Sequence, residues 1–317
     1  MGLTLADARV LVTGGGGFLG DHVVRRLEAL GCRDVVVPRQ ATCDLTRDAD
    51  VARLFARPVD VVLHLAADVG GIGFNLANPG TVLYRNVMMN TLVMEHARRA
   101  GVRKFVAAGS ICEYPEHARV PFRERELWDG YPEPTNGPYG ISKRTMLVQG
   151  QAYRTQHGFP AIHLLLMNLY GPGDHFDPER SHVVPALIRR CLEAAVDGAP
   201  EMVVWGDGAA TREFLYVEDA ARGICQAAER YDGPEPLNLG AGFEISIREL
   251  ATLIAELTGY RGRLVFDASK PSGQRRRCAD VSLARAAFGF EATVTLRDGL
   301  ARTIAWYLRT RPAAAAR

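Results

Sequence analysis

The 317-residue chain reads as a doubly wound parallel α/β sheet followed by a smaller α/β domain. Three observations lead there. Short β-branched runs alternate with amphipathic helical patterns through the first half, as βαβ units require. A run of glycines falls between the first strand and the first helix. Beyond Tyr170-Gly-Pro the alternation gives way to loops, short helices and one apolar strand.

Taken in order, Arg9-Val-Leu-Val-Thr13 predicts a buried strand. Gly14-Gly-Gly-Gly17-Phe18-Leu19-Gly20 follows, and then a helical pattern through Val23, Val24, Leu27 and Leu30, closed by Gly31. In that setting the glycines predict a Rossmann dinucleotide site. Gly14 permits the tight turn, Gly17 lets backbone approach a pyrophosphate, and Gly20 allows close helix–strand packing. The helix N-terminus offers N–H groups and partial positive charge to phosphates. Residues 35–37 form a second strand and 59–65 a third, which runs into Leu65-Ala66-Ala67. A helix over 86–100 ends at Gly101, and a strand over 104–108 leads to Gly109-Ser110. The helix carrying Tyr139 follows, then strands over 163–167 and 202–205. The predicted division is a Rossmann domain of residues 1–170, rejoined by about 213–245, and a substrate domain made of the rest of 171–317.

Composition narrows the function. A net charge of only +2, with no long basic tract, implies neither nucleic acid nor a membrane surface as partner, and no apolar run reaches transmembrane length. The start has no cationic-then-apolar signal peptide. Six cysteines (32, 43, 112, 191, 225 and 278) are scattered without a C-x-x-C pair, which suits reduced thiols in a cytoplasmic protein. No His/Cys/Asp cluster has the spacing of metal ligands. The Ala-rich stretch 311–317 is expected to fray.

Tyr139 and Lys143 carry the chemistry. Four residues apart on a helix, they share a face. A phenol titrates near pH ~10, and an ammonium beside it is expected to lower that value and yield a usable general acid or base. Ser110 sits where a strand ends.

Together these features resemble an extended short-chain dehydrogenase/reductase. The resemblance narrows through Val69-Gly-Gly-Ile72, Gly109-Ser-Ile-Cys-Glu-Tyr-Pro115, Glu133-Pro-Thr-Asn-Gly-Pro-Tyr139, Asn168-Leu-Tyr-Gly-Pro172 and Ser181-His-Val-Val-Pro-Ala186. Val204-Trp-Gly206, Arg212-Glu-Phe and Phe266-Asp-Ala-Ser-Lys-Pro271 complete it. These blocks are similar to the GDP-L-fucose synthase family, whose members epimerise and reduce GDP-4-keto-6-deoxymannose. The resemblance implies that Ser110, Tyr139 and Lys143 form a reductase set. It also makes Cys112 and His182 the base and acid of epimerisation. Around the diphosphate and base of a nucleotide-sugar substrate, GDP-linked, it places Asn168, Arg190, Trp205, Arg212 and Arg277. Arg189 rivals Arg190, and Arg275 and Arg276 rival Arg277, which falls where the family usually has lysine. A homodimer through two helices, about 86–100 and 139–157, is implied as well.

The cofactor follows from the end of the second strand. An NAD enzyme usually has a carboxylate there, whereas this chain has Pro38-Arg39-Gln. Arg39 is expected to pair with a 2′-phosphate, and Asp44-Leu45 to contact adenine, which favours NADP(H) over NAD. Gly16 stands where a second loop arginine is often found. Two further departures surround the thiol. Ile111 replaces a small polar residue, and Glu113 falls where an apolar one is usual. Glu113 is expected to raise the thiol's pKa or touch a substrate hydroxyl, hinting at a different sugar. The leading expectation is an NADP-dependent nucleotide-sugar 3,5-epimerase/4-reductase. The alternatives are an NAD-retaining epimerase or dehydratase, which does not need Cys112 and His182, and a non-catalytic nucleotide-sensing protein, which does not need a tuned phenol.

Overall fold

The computed structural model describes residues 2–178, 181–270 and 274–311. Its first half alternates as expected: β1 (Arg9–Thr13), α1 (Phe18–Ala29), β2 (Asp34–Val36), α2 (Asp48–Leu54), β3 (Val61–His64), α3 (Ile72–Ala77), α4 (Pro79–Arg99), β4 (Lys104–Ser110), α5 (Gly137–His157) and β5 (Ala161–Leu166). Then come β6 (Asn168–Tyr170), α6 (Val183–Val196), β7 (Glu201–Trp205), β8 (Thr211–Arg212), β9 (Phe214–Tyr216), α7 (Val217–Arg230), β10 (Leu237–Leu239), β11 (Ile245–Ser246), α8 (Ile247–Thr258), β12 (Arg263–Asp267), β13 (Arg276–Arg277), α9 (Ser282–Phe288) and α10 (Leu296–Thr310). Pro271 and residues 312–317 lie outside the described residues.

Six strands form one parallel sheet in the order β10-β5-β4-β3-β1-β2. The chain runs outward from β1 to β2, then returns to the other side of β1 as β3. The switch point therefore lies between the carboxyl ends of β1 and β3, where open α/β sheets bind ligands. Strands β1, β3, β4 and β5 are almost wholly buried, because helices cover both faces, and their apolar runs are correspondingly continuous. One face packs on α1 and α7 around Val10, Leu27, Leu215 and Ile224. The other packs on α4 and α5 around Leu11, Val93, Phe105 and Met146.

Helix α4 begins seven residues before the expected position, since Pro79 occupies its first turn, where a fixed φ and a missing N–H cost nothing. It closes with His96, Arg98 and Arg99 against the negative end of its dipole. A second core gathers Leu187, Ile188, Met202, Ile254 and Leu300 from α6, β7, α8 and α10. The parallel pairs β7–β12 and β8–β13 flank it. All six cysteines are free thiols. Among the described residues no helix is long and apolar enough to cross a membrane.

Candidate active site

The glycine turn is shaped by close approach. Gly14 has φ +71°, and a Cβ there would lie 2.8 Å from the Ala66 nitrogen. A Cβ on Gly20 would lie 2.0 Å from the Gly14 carbonyl oxygen. Any side chain at either position would push α1 away from β1 and β3. Phe18 and Leu19 open α1 over this turn, and Leu65 to Ala67 line the opposite side after β3. There the Leu65 N–H donates to the Thr13 carbonyl at 3.2 Å. Gly16 proves to be an accommodation rather than a loss. Arg39 lies across it so closely that a Cβ would sit 1.7 Å from Nη1. The loop thus carries its guanidinium from the end of β2, with no carboxylate in the segment 37–41 to oppose it. A cradle without side chains beside an exposed arginine fits a phosphorylated dinucleotide. Asp44 accepts the Thr46 N–H at 3.0 Å and the Thr46 hydroxyl at 2.8 Å, bonds that hold its carboxyl below the usual range. Leu45 packs on the core beneath.

Beside the turn, His64 is structural. It is buried, with Nδ1 2.7 Å from Thr13 Oγ1 and Nε2 2.9 Å from Asn90 Oδ1. Burial, and then the charge of Lys143, push it down to about 3. The ring is therefore neutral.

The candidate reacting groups meet where β4 ends. Ser110 caps a 3-10 turn, Ile111–Glu113, accepting the Cys112 N–H on its hydroxyl at 3.2 Å while its own N–H donates to Glu113 Oε1 at 2.7 Å. Cys112 is half-buried on that turn. Helix α5 lies in backbone contact with it, since a Cβ on Gly140 would fall 2.3 Å from the Cys112 carbonyl oxygen. Tyr139, one residue earlier, is thereby brought beside Cys112, whose charge it feels. Lys143 is 1 % exposed. Its Nζ donates to the Ala108 carbonyl at 2.8 Å and lies 5.7 Å from the centre of the Tyr139 ring.

Two expectations are corrected here. The phenol of Tyr139 is raised, not lowered, by burial and then by the neighbouring Cys112 and Glu113. Desolvation penalises the phenolate, and both neighbours add negative charge. Lys143 is itself brought down to about 8 by burial, with Glu113 opposing. Glu113, in turn, has no access to a substrate hydroxyl. It is fully buried beneath the turn, 3.1 Å from His163 Nε2.

A second group of candidates lies toward the other core. His182 stands exposed at the start of α6, its imidazole held below the usual value by its protein surroundings and then by His175. Asn168 Nδ2 donates to the Glu213 carbonyl at 2.9 Å. Arg212 and Arg277 are register partners on β8 and β13, and burial, then Arg277, bring Arg212 down to about 10. Arg212 Nη1 donates to the Thr211 carbonyl at 2.7 Å, and Arg277 Nε to Gln274 Oε1 at 2.6 Å. Arg276 pairs with Glu244, and Arg189 reaches Glu193 at 3.0 Å. Arg190 directs Nη2 to the Val203 carbonyl, bracing β7. Trp205 ends β7 with 61 % of its surface exposed.

One residue of this group escaped the sequence reading. Glu213, fully buried, accepts the Gly242 N–H at 2.8 Å and the Ala279 N–H at 2.7 Å, tying the two arginine strands together. A carboxylate inside the apolar-flanked run Arg-Glu-Phe-Leu was the available signal. Among the described residues no cluster of His, Cys, Asp or Glu could hold a metal ion.

A parallel sheet with its glycine turn at the switch point, and Ser110, Tyr139 and Lys143 at the end of β4, defines an extended short-chain dehydrogenase/reductase. Residues 10–240 match the NAD dependent epimerase/dehydratase family. GDP-L-fucose synthase 1 of Arabidopsis thaliana is 44 % identical over 305 residues, covering 96 % of this chain and 94 % of its own. GDP-L-fucose synthase of Escherichia coli K12 is 38 % identical over 314 residues, covering 96 % and 98 %. A GDP-L-fucose synthetase from Naegleria fowleri solved with NADP bound superposes with a TM-score of 0.89 at 30 % identity, covering 98 % of this chain and 95 % of that one. The chain belongs to the GDP-L-fucose synthase family.

Proposed function

We propose that this protein is an NADP-dependent nucleotide-sugar 3,5-epimerase and 4-reductase acting on a GDP-linked 4-keto-6-deoxyhexose. The observation that carries the reading is the contact between the Cys112 turn and the Tyr139 helix. It brings a half-buried thiol to the reductase set, and a simple 4-epimerase has no need of one.

The chemistry follows from the ketone. A carbonyl at carbon 4 acidifies the C–H bonds at carbons 3 and 5. Cys112 as thiolate removes each proton, leaving an enolate whose charge rests on the carbon-4 oxygen. Ser110 and Tyr139 donate hydrogen bonds to that oxygen. His182 returns a proton to the opposite face, and the configuration inverts. For reduction, bound NADPH supplies hydride to carbon 4. The Tyr139 O–H bond breaks as its proton passes to the carbon-4 oxygen, and the raised phenol suits that role, since it is protonated at neutrality. Lys143 holds positive charge beside the phenolate left behind.

The binding assignments rest on the same reading. Arg39 takes the 2′-phosphate of NADP(H), Gly14, Gly17 and Gly20 admit the pyrophosphate, and Asp44 and Leu45 flank the adenine. Arg212 and Arg277 take the substrate diphosphate, with Asn168 and Arg190 behind them and Trp205 over the base. The domain boundary falls near residue 170, with about 213–245 returning to the sheet. Pairing into a homodimer through α4 and α5 is supported by apolar side chains there that face solvent, Tyr84 at 61 % exposure and Val148 at 48 %. Free thiols in all six cysteines accord with a cytoplasmic protein.

The test is incubation with GDP-4-keto-6-deoxymannose and NADPH, following absorbance and product stereochemistry. Stoichiometric NADPH loss with inversion at carbons 3 and 5 is the expected result. Tightly bound NAD with no net NADPH consumption would instead mark a cofactor-retaining epimerase or dehydratase.

A further inference from the structure

Glu113 and His163 form a buried pair that the proposed chemistry does not use. Glu113 is 0 % exposed and His163, on β5, 3 %. Both are shut off from bulk solvent, so their protein partners define their role. Glu113 Oε1 accepts the Ser110 N–H at 2.7 Å, and both carboxylate oxygens lie 3.1 Å from His163 Nε2. Gly109 makes the room. A Cβ there would fall 2.3 Å from His163 Nε2 and 2.5 Å from Glu113 Oε1. On the other side of Gly109, Lys143 Nζ donates to the Ala108 carbonyl. Along a strand, the C=O of one residue and the N–H two residues on point the same way. Ammonium and carboxylate thus dock on neighbouring peptide groups of β4.

The charge of Glu113 is not cancelled by its nearest partner. His163 Nδ1 is buried with no hydrogen-bond partner. An imidazolium would leave a charged N–H without an acceptor, so the ring fits as the neutral Nε2–H tautomer donating to Glu113. Arg144 of α5 directs Nε to the Glu113 carbonyl at 2.7 Å and Nη1 to the Gly130 carbonyl at 2.8 Å, and its charge also faces Glu113. The other titratable groups facing the pair are Tyr139 and Lys143 on α5 and Cys112 and Tyr114 on its own turn. Lys143 and Arg144 are the cations set against it.

We infer that Glu113, oriented by His163, is a positioning residue for the reductase set. Its buried charge keeps a proton on Lys143 and on the Tyr139 phenol, so the site rests in the proton-donating form that ketone reduction needs. A negative neighbour favours an ammonium and disfavours a phenolate, and both effects act in that direction. The burial that brings Lys143 down to about 8 is opposed by Glu113 alone among its named causes. The catalytic part of the inference rests on the function proposed above.

The chain has three lysines, Lys104, Lys143 and Lys270. Carbon-13 NMR of protein labelled at lysine Cε therefore follows Lys143 directly, assigned with Lys143→Arg. Wild type is expected to titrate near pH 8. Glu113→Gln, which keeps an acceptor for the Ser110 N–H, should lower that midpoint by about one pH unit. The alkaline limb of NADPH-dependent turnover should move down with it. Should Glu113→Gln not fold, Glu113→Ile with His163→Leu replaces the pair by apolar groups and should give the same displacement. An unmoved Lys143 midpoint in a folded variant overturns the inference, even if turnover falls uniformly with pH. Absence of turnover in wild type would strike the proposed function, while the lysine titration still decides whether Glu113 acts on Lys143.

Discussion

Arg212 and Arg277 are register partners on parallel strands, near enough that Arg277 disfavours the charge of Arg212. Glu213 locks the strands in that arrangement through the Gly242 and Ala279 amides. A protein that holds like charges together by a buried clamp gains from a dianion between them. Arg212→Ala or Arg277→Ala should raise KM for the nucleotide sugar about tenfold to a hundredfold with kcat little changed. Arg277→Lys should recover part of that loss. Steady-state kinetics decide; an unchanged KM would place the diphosphate elsewhere.

In the proposed reading, Arg39 across Gly16 sets cofactor preference. Arg39→Ala should weaken NADPH by about tenfold or more, the worth of one charge-assisted contact, while leaving NADH unaffected. Gly16→Ala should act in the same direction, because its Cβ occupies the guanidinium's place. Binding titrations with both cofactors measure the ratio.

In the proposed mechanism, Cys112 separates the two halves of the reaction. Cys112→Ser should abolish solvent deuterium uptake at carbons 3 and 5 by about 10²-fold or more, yet leave NADPH binding intact. Uptake at the wild-type rate would remove the thiol from the mechanism.

Asp174 gives a pH signature in the fold itself. Burial pushes its carboxyl up to about 7, and Oδ2 has no partner. An unfolded Asp titrates near ~3.9, so between about pH 4 and 7 the folded state binds the proton that the unfolded state has lost. Stability from this group is present below that window and falls as pH rises through it, by as much as about 4 kcal/mol. In protein without cofactor, Asp174→Asn should raise Tm at pH 7.5 relative to wild type, and the difference should shrink toward pH 4. Parallel Tm curves across that range would contradict the assignment.

Local signals were legible in the sequence, and long-range ones were not. The glycine turn, the strand–helix alternation and the Tyr139–Lys143 face are set by residues within a few positions of one another, and each stands where the pattern put it. The start of α4 was missed because residues 79–85 show no clear apolar period and Pro79 reads first as a breaker. Glu113 was misread since its partner, His163, is fifty residues away, and no local pattern reveals burial. The phenol's direction was misjudged for the same reason. An ammonium at i+4 is visible in a sequence, whereas desolvation is a property of the packed site.

The central claim is that one site both inverts a keto sugar and reduces it. It is tested most directly by running the reaction in D₂O with unlabelled NADPH and GDP-4-keto-6-deoxymannose, and reading the product by NMR. The account predicts one product, inverted at carbons 3 and 5 with deuterium at both and protium at carbon 4, formed with one NADPH oxidised per sugar. A reduced product that keeps its original configuration and carries no deuterium at either carbon would contradict it.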